Sequence, residues 1–497
     1  MRRPGTQRWS AAAAVLVGVL AAAVAWVRLG PEGRGTGWAE DIGLFFRERL
    51  ELGAVESVVH PYAGYLHVVP RLVVDVAFLL PVEWYVLAVS AMSCLLVGAV
   101  CGGVWVLARE VVPSWPLRLV LAAVPVLLPT APWEVSGTAA NLHTFGLFLA
   151  PWLFAHRVRT WWGAAVLALV TVLVVGSETQ TVVFLPLLVL AWSPSAARGG
   201  DTGVAGRRRS TRWRALPVTL AAVGTEAAQI GTALTTERAS APGAPTAQDV
   251  AAGWALQTVG GLWTADVGAV GRAVVADGWA VVAVPAVALH AVVVLGAVTA
   301  LRDGHPRRAV LALALALGAA AVWTAALVAN ASADGRWSRA APGDLVAATP
   351  SRYAAAAGLL LCASVVVAAA VLVDRRAAVL VDRRAAVLVD RRAAVLVDRR
   401  VRRGRDRAED VSGRRRRRTG GPTAAVLVTV GWSVVALLVA SWVGNVPGVA
   451  QRASGPTWQP QFVAAERACA RRPSGTVRIR ALPWSAEVPC SLVLQDR

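Results

Sequence analysis

A chain of 497 residues that is 56% hydrophobic, with a mean hydropathy of +0.55, is not a soluble domain; it reads as an all-α polytopic membrane protein. The net charge is +20 and is carried by arginine alone, since the sequence has no lysine, a coding bias of GC-rich genomes. No recognition motif accompanies this charge, and most of it falls where cytoplasmic connections are expected. It therefore orients the chain and meets anionic headgroups, and it does not point to nucleic acid.

The first apolar run, Ser10 to Leu29, is about 20 residues long, enough to cross a hydrocarbon core. Met1-Arg2-Arg3 and Arg8 precede it and place the N-terminus inside. No clean small-residue cleavage site follows, so the run reads as a retained anchor and not as a signal peptide. The outer loop 30–81 comes next. It opens on an acidic pair, Glu40-Asp41, and continues through His60-Pro61-Tyr62-Ala63-Gly64-Tyr65-Leu66-His67 to Pro70-Arg71. Leu66 to Leu80 is apolar but short and carries Arg71 and Asp75, which predicts an interfacial or re-entrant helix.

Further spans are expected over 84–107, 117–131, 142–155, 161–175, 181–192, 216–234, 280–300, 310–328 and 353–373. The span 216–234 is the weakest, interrupted by Glu226 and Gln229. The stretch 235–277, polar and rich in small residues, reads as a large outer loop anchored by Trp254 and Trp263. Residues 1–373 thus form a multi-span membrane domain. Residues 374–421 form an Arg-rich cytoplasmic loop in which Ala-Val-Leu-Val-Asp-Arg-Arg-Ala recurs with Asp374, Asp382, Asp390 and Asp398. Eight residues turn a helix by about 800°, so each copy is rotated about 80° from the last and no coiled-coil seam results. Duplication of a short DNA unit explains the near-identity; a basic helix on the inner leaflet is the other reading.

The last span is 422–443. Arg-rich loops fall at every second connection, and the total is about eleven spans, an odd number that puts the tail 444–497 outside as a small cap. Short strands are expected at 476–482 and 491–494. Of five cysteines, Cys94, Cys101 and Cys362 lie in apolar runs, whereas Cys469 and Cys490 lie in this tail. An outside tail permits a Cys469–Cys490 disulfide, with Trp458 and Trp484 seating the cap.

No Walker loop, dinucleotide fingerprint, zinc spacing or nucleophile elbow occurs in a usable context. What the chain does carry is Trp38-x-Glu40-Asp41 after the first span, then Pro61-Tyr62-x-Gly64-Tyr65 and Pro70-Arg71-Leu72. Asn141-Leu142-His143 opens the fourth span and Arg352-Tyr353 the tenth. This pattern resembles the GT-C superfamily of membrane glycosyltransferases, in particular its actinobacterial membrane relatives. The likeness covers most of the chain in topology and only short motifs in sequence; the tandem repeat has no counterpart in it.

The resemblance implies a multi-pass plasma-membrane enzyme of the cell envelope. Such an enzyme takes a sugar from a polyprenyl-phosphate carrier at the outer face and passes it to a glycan or glycoconjugate acceptor. A first-loop carboxylate acts there as general base, a role that falls on Asp41, with Glu40 as its neighbour or substitute. The leaving phosphate needs a cation, for which Arg71 and Arg352 qualify. His60, His67 and His143 are candidate phosphate ligands, and Tyr62 and Tyr65 candidate substrate contacts. No zinc-ligand spacing is evident and no cofactor is assigned; a divalent metal stays open. Two other readings remain: a transporter or flippase for lipid-linked glycans, and a structural membrane protein without catalysis.

Overall fold

The structure, a computed structural model, describes residues 4–193, 212–237, 241–331, 336–374 and 422–494. It is mostly helical. The helices used below are α1 (Pro4–Arg28), α2 (Arg47–Val59), α3 (Val68–Ala77), α4 (Tyr85–Leu107), α5 (Trp115–Leu127), α6 (Leu142–Ala155) and α7 (Trp161–Val175). They are followed by α8 (Leu216–Thr235), α9 (Val267–Asp277), α10 (Ala280–Arg302), α11 (Pro306–Ala329), α12 (Arg352–Asp374), α13 (Pro422–Gly444) and α14 (Trp458–Arg471). Strands β1 (Thr476–Arg480) and β2 (Ser485–Pro489) form an antiparallel pair.

Among the described residues six helical segments are long and apolar enough to cross a membrane: Ala11–Arg28, Val82–Glu110, Ala280–Arg302, Pro306–Ala329, Arg352–Asp374 and Ala424–Gly444. The remaining expected spans are shorter or more polar. Trp115–Leu127, Leu142–Ala155 and Trp161–Val175 are short apolar helices, Thr179–Trp192 begins as a 3₁₀ segment, and α8 carries buried Glu226 and Gln229. α12 is apolar on all sides and almost wholly buried, as a helix at the centre of a bundle must be.

Small residues set the closest approach. Gly98 and Gly102, four apart on α4, face α1. A Cβ on Gly98 would run into the carbonyl of Gly18, and one on Gly102 would stand 2.8 Å from the carbonyl of Ala14. Packing between apolar helices in lipid depends on such backbone proximity.

The bundle has two chemically different ends. At one, Glu110 pairs with Arg159 (2.7 Å) and Arg307 (3.3 Å), and Arg308 pairs with Asp374 (2.8 Å). At the other lie the residues following α1, the turns before α6 and after α7, and the C-terminal cap. Asp374 is the first aspartate of the repeat; Asp382, Asp390, Asp398 and the rest of 375–421 lie outside the described residues.

Two expectations are corrected, and a third is compared with them. The stretch 235–277 is not an open loop: Ala247–Gly253, Trp254–Val259 and α9 are helical, Leu256, Gln257, Val259 and Leu262 are buried, and Trp254 and Trp263 pack on the core. The segment around Leu72 is a short helix, as expected, with Arg71, Val73, Val74 and Ala77 buried against protein and Leu72 and Val76 exposed. In the cap the second strand is Ser485–Pro489, while 491–494 lies at and just beyond the short helix Cys490–Val493. Alternation explains the strand: Ala486 and Val488 turn inward, opposite Val477 and Ile479.

The cap has a core of its own and is docked. Cys469 and Cys490 are disulfide-bonded, with Cα atoms 5.1 Å apart, beneath Trp458, Phe462 and Ile479. Trp458 donates its indole N–H to the carbonyl of Val82 (2.9 Å) and packs on Phe46 and Tyr85. Ala39 N–H donates to the carbonyl of Leu482 (2.7 Å), which ties the cap to the acidic pair's own segment.

Candidate functional site

A cavity of about 660 Å³ opens at the cap-bearing end of the bundle. Six of the residues singled out in the sequence line it: Glu40, Tyr62, Tyr65, His67, His143 and Arg352. They come from four separate segments, and each is positioned for an identifiable reason.

Tyr62 and Tyr65 face each other across a two-residue turn closed by paired backbone hydrogen bonds of 2.9 and 3.1 Å. Ala63 (φ 53°) and Gly64 (φ 88°) both sit in the left-handed region such a turn demands, which is why glycine stands there. The segment is then pinned by α8. Gln229 accepts from Leu66 N–H (2.8 Å) and donates to the carbonyl of Val175 (2.8 Å). Glu226, one turn earlier, accepts from Thr181 (2.8 Å) and Thr179 (3.4 Å). The two polar residues that interrupt α8 therefore hold the cavity wall.

His67 is buried with its ring 4.1 Å from that of Tyr65 and 6.0 Å from that of His143. Burial, with the charges of neighbouring His143 and Arg71, pushes its pKa well below the usual value, so the ring is neutral at pH 7. His143 Nδ1 is 2.5 Å from Glu178 Oε2, and Glu178 is itself fixed as the cap of the following 3₁₀ segment through Gln180 N–H (2.9 Å). The carboxylate is an acceptor, so Nδ1 carries a proton and Nε2 is the ring nitrogen left for a ligand.

Arg352, at the start of α12, stands 3.1 Å from Glu40 Oε1 and 3.4 Å from Glu134 Oε1. Burial raises the pKa of Glu134, and the guanidinium beside it opposes the shift. Glu40 is 6% exposed, and its second oxygen, Oε2, is buried without a hydrogen-bond partner. An orphaned carboxylate oxygen in a cavity wall is a group waiting for a donor.

Three sequence candidates lie elsewhere. Asp41, expected to be the base, turns away from the cavity: its two oxygens accept from Ala139 N–H (3.0 Å) and Ala140 N–H (2.8 Å), and Arg452 of the cap stands nearby. Burial raises its pKa to about 7 against the pull of those donors. Its work is to join the first loop to the turn before α6. Arg71 is buried behind Phe45, 4.8 Å from that ring, and paired with Glu48 at 2.7 Å. His60 lies on the same carboxylate at 3.9 Å, half exposed, outside the cavity. The Arg71 guanidinium is held by Glu48, and neither Arg71 nor His60 lines the cavity.

Glu178 and Glu134 were missed. The available signal was their isolation: each is the lone carboxylate of a connector that opens on the same end as the acidic pair. Among the described residues no group of three His, Cys, Asp or Glu side chains is arranged to hold a metal ion.

His143 also lines a second space. An apolar groove of about 360 Å³ runs between α4, α6 and α7, from Val69, His143 and Ser177 at one end to Leu107 and Leu153 at the other. Gly103 and Gly146 in its wall leave room where larger side chains would fill it. From His143 to Leu153 the helix rises about 15 Å. One histidine thus stands in the wall of both a polar, acid-containing chamber and an apolar trough along the helices.

Comparison with family models, with curated proteins and with solved structures found no match to this chain.

Proposed function

We propose that this protein is a polyprenyl-phosphate-sugar-dependent glycosyltransferase of the GT-C kind. It would have about eleven spans in the plasma membrane, the N-terminus inside, and the cavity and cap outside. One observation carries the reading: the polar cavity and the apolar groove share His143. A lipid-linked sugar has the same division, an apolar tail and a polar head joined by a phosphate.

In this reading the tail lies in the groove and the phosphate sits at His143. Glu178 holds that imidazole through Nδ1 and so aims Nε2 at the phosphate, to which the imidazolium form donates a hydrogen bond. Tyr62, Tyr65 and Tyr353 wall the sugar site. Glu40 is the base, taking the role the sequence assigned to Asp41. It removes the proton of the acceptor hydroxyl as the oxygen attacks the anomeric carbon. The bond from that carbon to the phosphate oxygen breaks, and its electron pair leaves with the phosphate. Arg352 orients Glu40 and offsets the charge gathered in the chamber. The transporter reading asks for ionisable groups deep in several spans. Glu226 is such a group, but two threonines engage it.

The groove supplies a test. Replacing Gly146 with Trp should fill the trough and abolish crosslinking of a photoreactive polyprenyl phosphate to the purified protein. Crosslinking that persists unchanged, or that maps away from α4, α6 and α7, would remove the basis for the lipid carrier.

A further inference from the structure

A second polar concavity at the cap-bearing end shares no lining residue with the chamber. It is a cleft of about 910 Å³ between the cap hairpin and the segment that follows Glu40. Its walls combine Gly43, Leu44 and Arg47 from that segment with Arg478 and Arg480 on β1, and Trp484 and Ser485 from the turn into β2.

The hairpin register explains the charge. Val477 and Ile479 pack inward on the cap core, so Arg478 and Arg480 share the opposite face with Ser485 and Glu487. Arg478 Nε donates to Ser485 Oγ at 2.8 Å, which steadies one guanidinium. Arg47 meets only Glu51, at 3.7 Å on an exposed surface. No aspartate or glutamate lines the cleft. Three guanidinium groups from two elements thus line the cleft, with Glu51 beside Arg47 and Glu487 across the strand pair from Arg478 as the carboxylates at its margin.

The floor is aromatic. Trp484 lies directly on Gly43, where an added Cβ would come within 2.5 Å of the indole; glycine is needed there for that contact. The rest of the ring stays open, 43% exposed. An indole face accepts the C–H face of a sugar ring, and a guanidinium binds a carboxylate or phosphate with two parallel hydrogen bonds.

We propose that this cleft binds an anionic carbohydrate, a chain whose sugars carry carboxylate or phosphate groups, with Trp484 as the stacking platform and Arg47, Arg478 and Arg480 as the anion contacts. The cleft is a concavity between two elements with an aromatic floor, a shape that an extended saccharide enters. Gly43 and Leu44 belong to the turn that begins at Asp41, immediately after Glu40. A glycan held here is therefore held by the element that carries the proposed base. That it is the acceptor rests on the glycosyltransferase reading; that the cleft binds an anionic glycan does not.

The experiment measures binding to the whole purified protein in detergent, with no donor present, by quenching of tryptophan fluorescence. The probes are a tetramer of galacturonic acid, neutral maltotetraose, inorganic phosphate and phosphatidylglycerol vesicles. The acidic tetramer should bind at least about tenfold more tightly than the neutral one, and Arg478→Ala with Arg480→Ala should weaken it by a similar factor. Trp484→Ala should weaken both saccharides, judged by calorimetry since the reporter is then lost. Both arginines are exposed, so the double variant should keep the wild-type melting temperature, which separates lost contacts from lost folding. Equal binding of acidic and neutral tetramers would overturn the proposal. So would indifference to the arginine pair, phosphate as tight as the tetramer, or arginine-dependent binding of the vesicles alone. Loss of sugar transfer in Glu40→Gln bears on the chamber and leaves this result untouched.

Discussion

Adjacent residues divide the work of the first loop. Side chains of consecutive residues on a helical turn diverge by about 100°. Glu40 and Asp41 therefore cannot both face the chamber, and nothing in the sequence says which one does. The decision is made by Ala139 and Ala140, nearly a hundred residues later, whose N–H groups take both oxygens of Asp41. By contrast Tyr62, Tyr65, His67, His143 and Arg352 were legible, because polar side chains in short turns at one end of an apolar bundle have few places to go. Asp41 also gives a stability signature. Its folded-state value, about 7, lies above the usual 3.8, so the native protein holds this proton more tightly than the unfolded chain. The contribution is full below pH about 4, declines as pH rises to about 7, and changes no further above that. Melting temperatures of the detergent-solubilised protein should fall across this window, and Asp41→Asn should flatten the slope. A slope of the same size in the variant would assign the pH dependence to other groups.

At the scale of elements, hydropathy was a good guide to helices and a poor one to connections. The apolar runs became helices close to their expected ends because length and composition alone decide them. The stretch 235–277 was misread because alanine, glycine and threonine lower its hydropathy, whereas its helices are buried by neighbours that a linear reading does not see. The strand 485–489 was hidden for a related reason: its inward residues are only Ala486 and Val488, too few to register as a pattern. Gly98 and Gly102 carried a signal that went unused, small residues four apart on a span. Gly98→Val should push α1 from α4 at backbone atoms that cannot yield, costing about 1–3 kcal/mol. Gly224→Val serves as control, since a Cβ there meets nothing within 4 Å. A melting temperature equally affected in the two variants would show that the α1–α4 approach is not the tight contact it is drawn to be.

At the scale of the whole molecule the two ends of the bundle differ in chemistry. One end of the bundle gathers arginine pairs around Glu110 and Asp374, and the other gathers the chamber, the groove mouth and the cap. Under the positive-inside rule the first end is cytoplasmic. Single cysteines at exposed Ala247 and Ser474 should then react with an impermeant maleimide in intact cells, and one at exposed His305 only after permeabilisation. Reaction of the His305→Cys protein in intact cells would reverse the orientation and remove the chamber from the outer face.

The central claim is that Glu40, in a chamber coupled to a lipid groove, is the base of a glycosyl transfer. The most direct measurement is transfer of a labelled sugar from a polyprenyl-phosphate donor to an added acceptor by the protein in proteoliposomes, compared per folded molecule among wild type, Glu40→Gln and Asp41→Asn. Wild type should transfer the sugar, Glu40→Gln should lose about 10²–10⁴-fold, and the Asp41→Asn molecules that fold should transfer near-normally. Transfer by Glu40→Gln at the wild-type rate would contradict it.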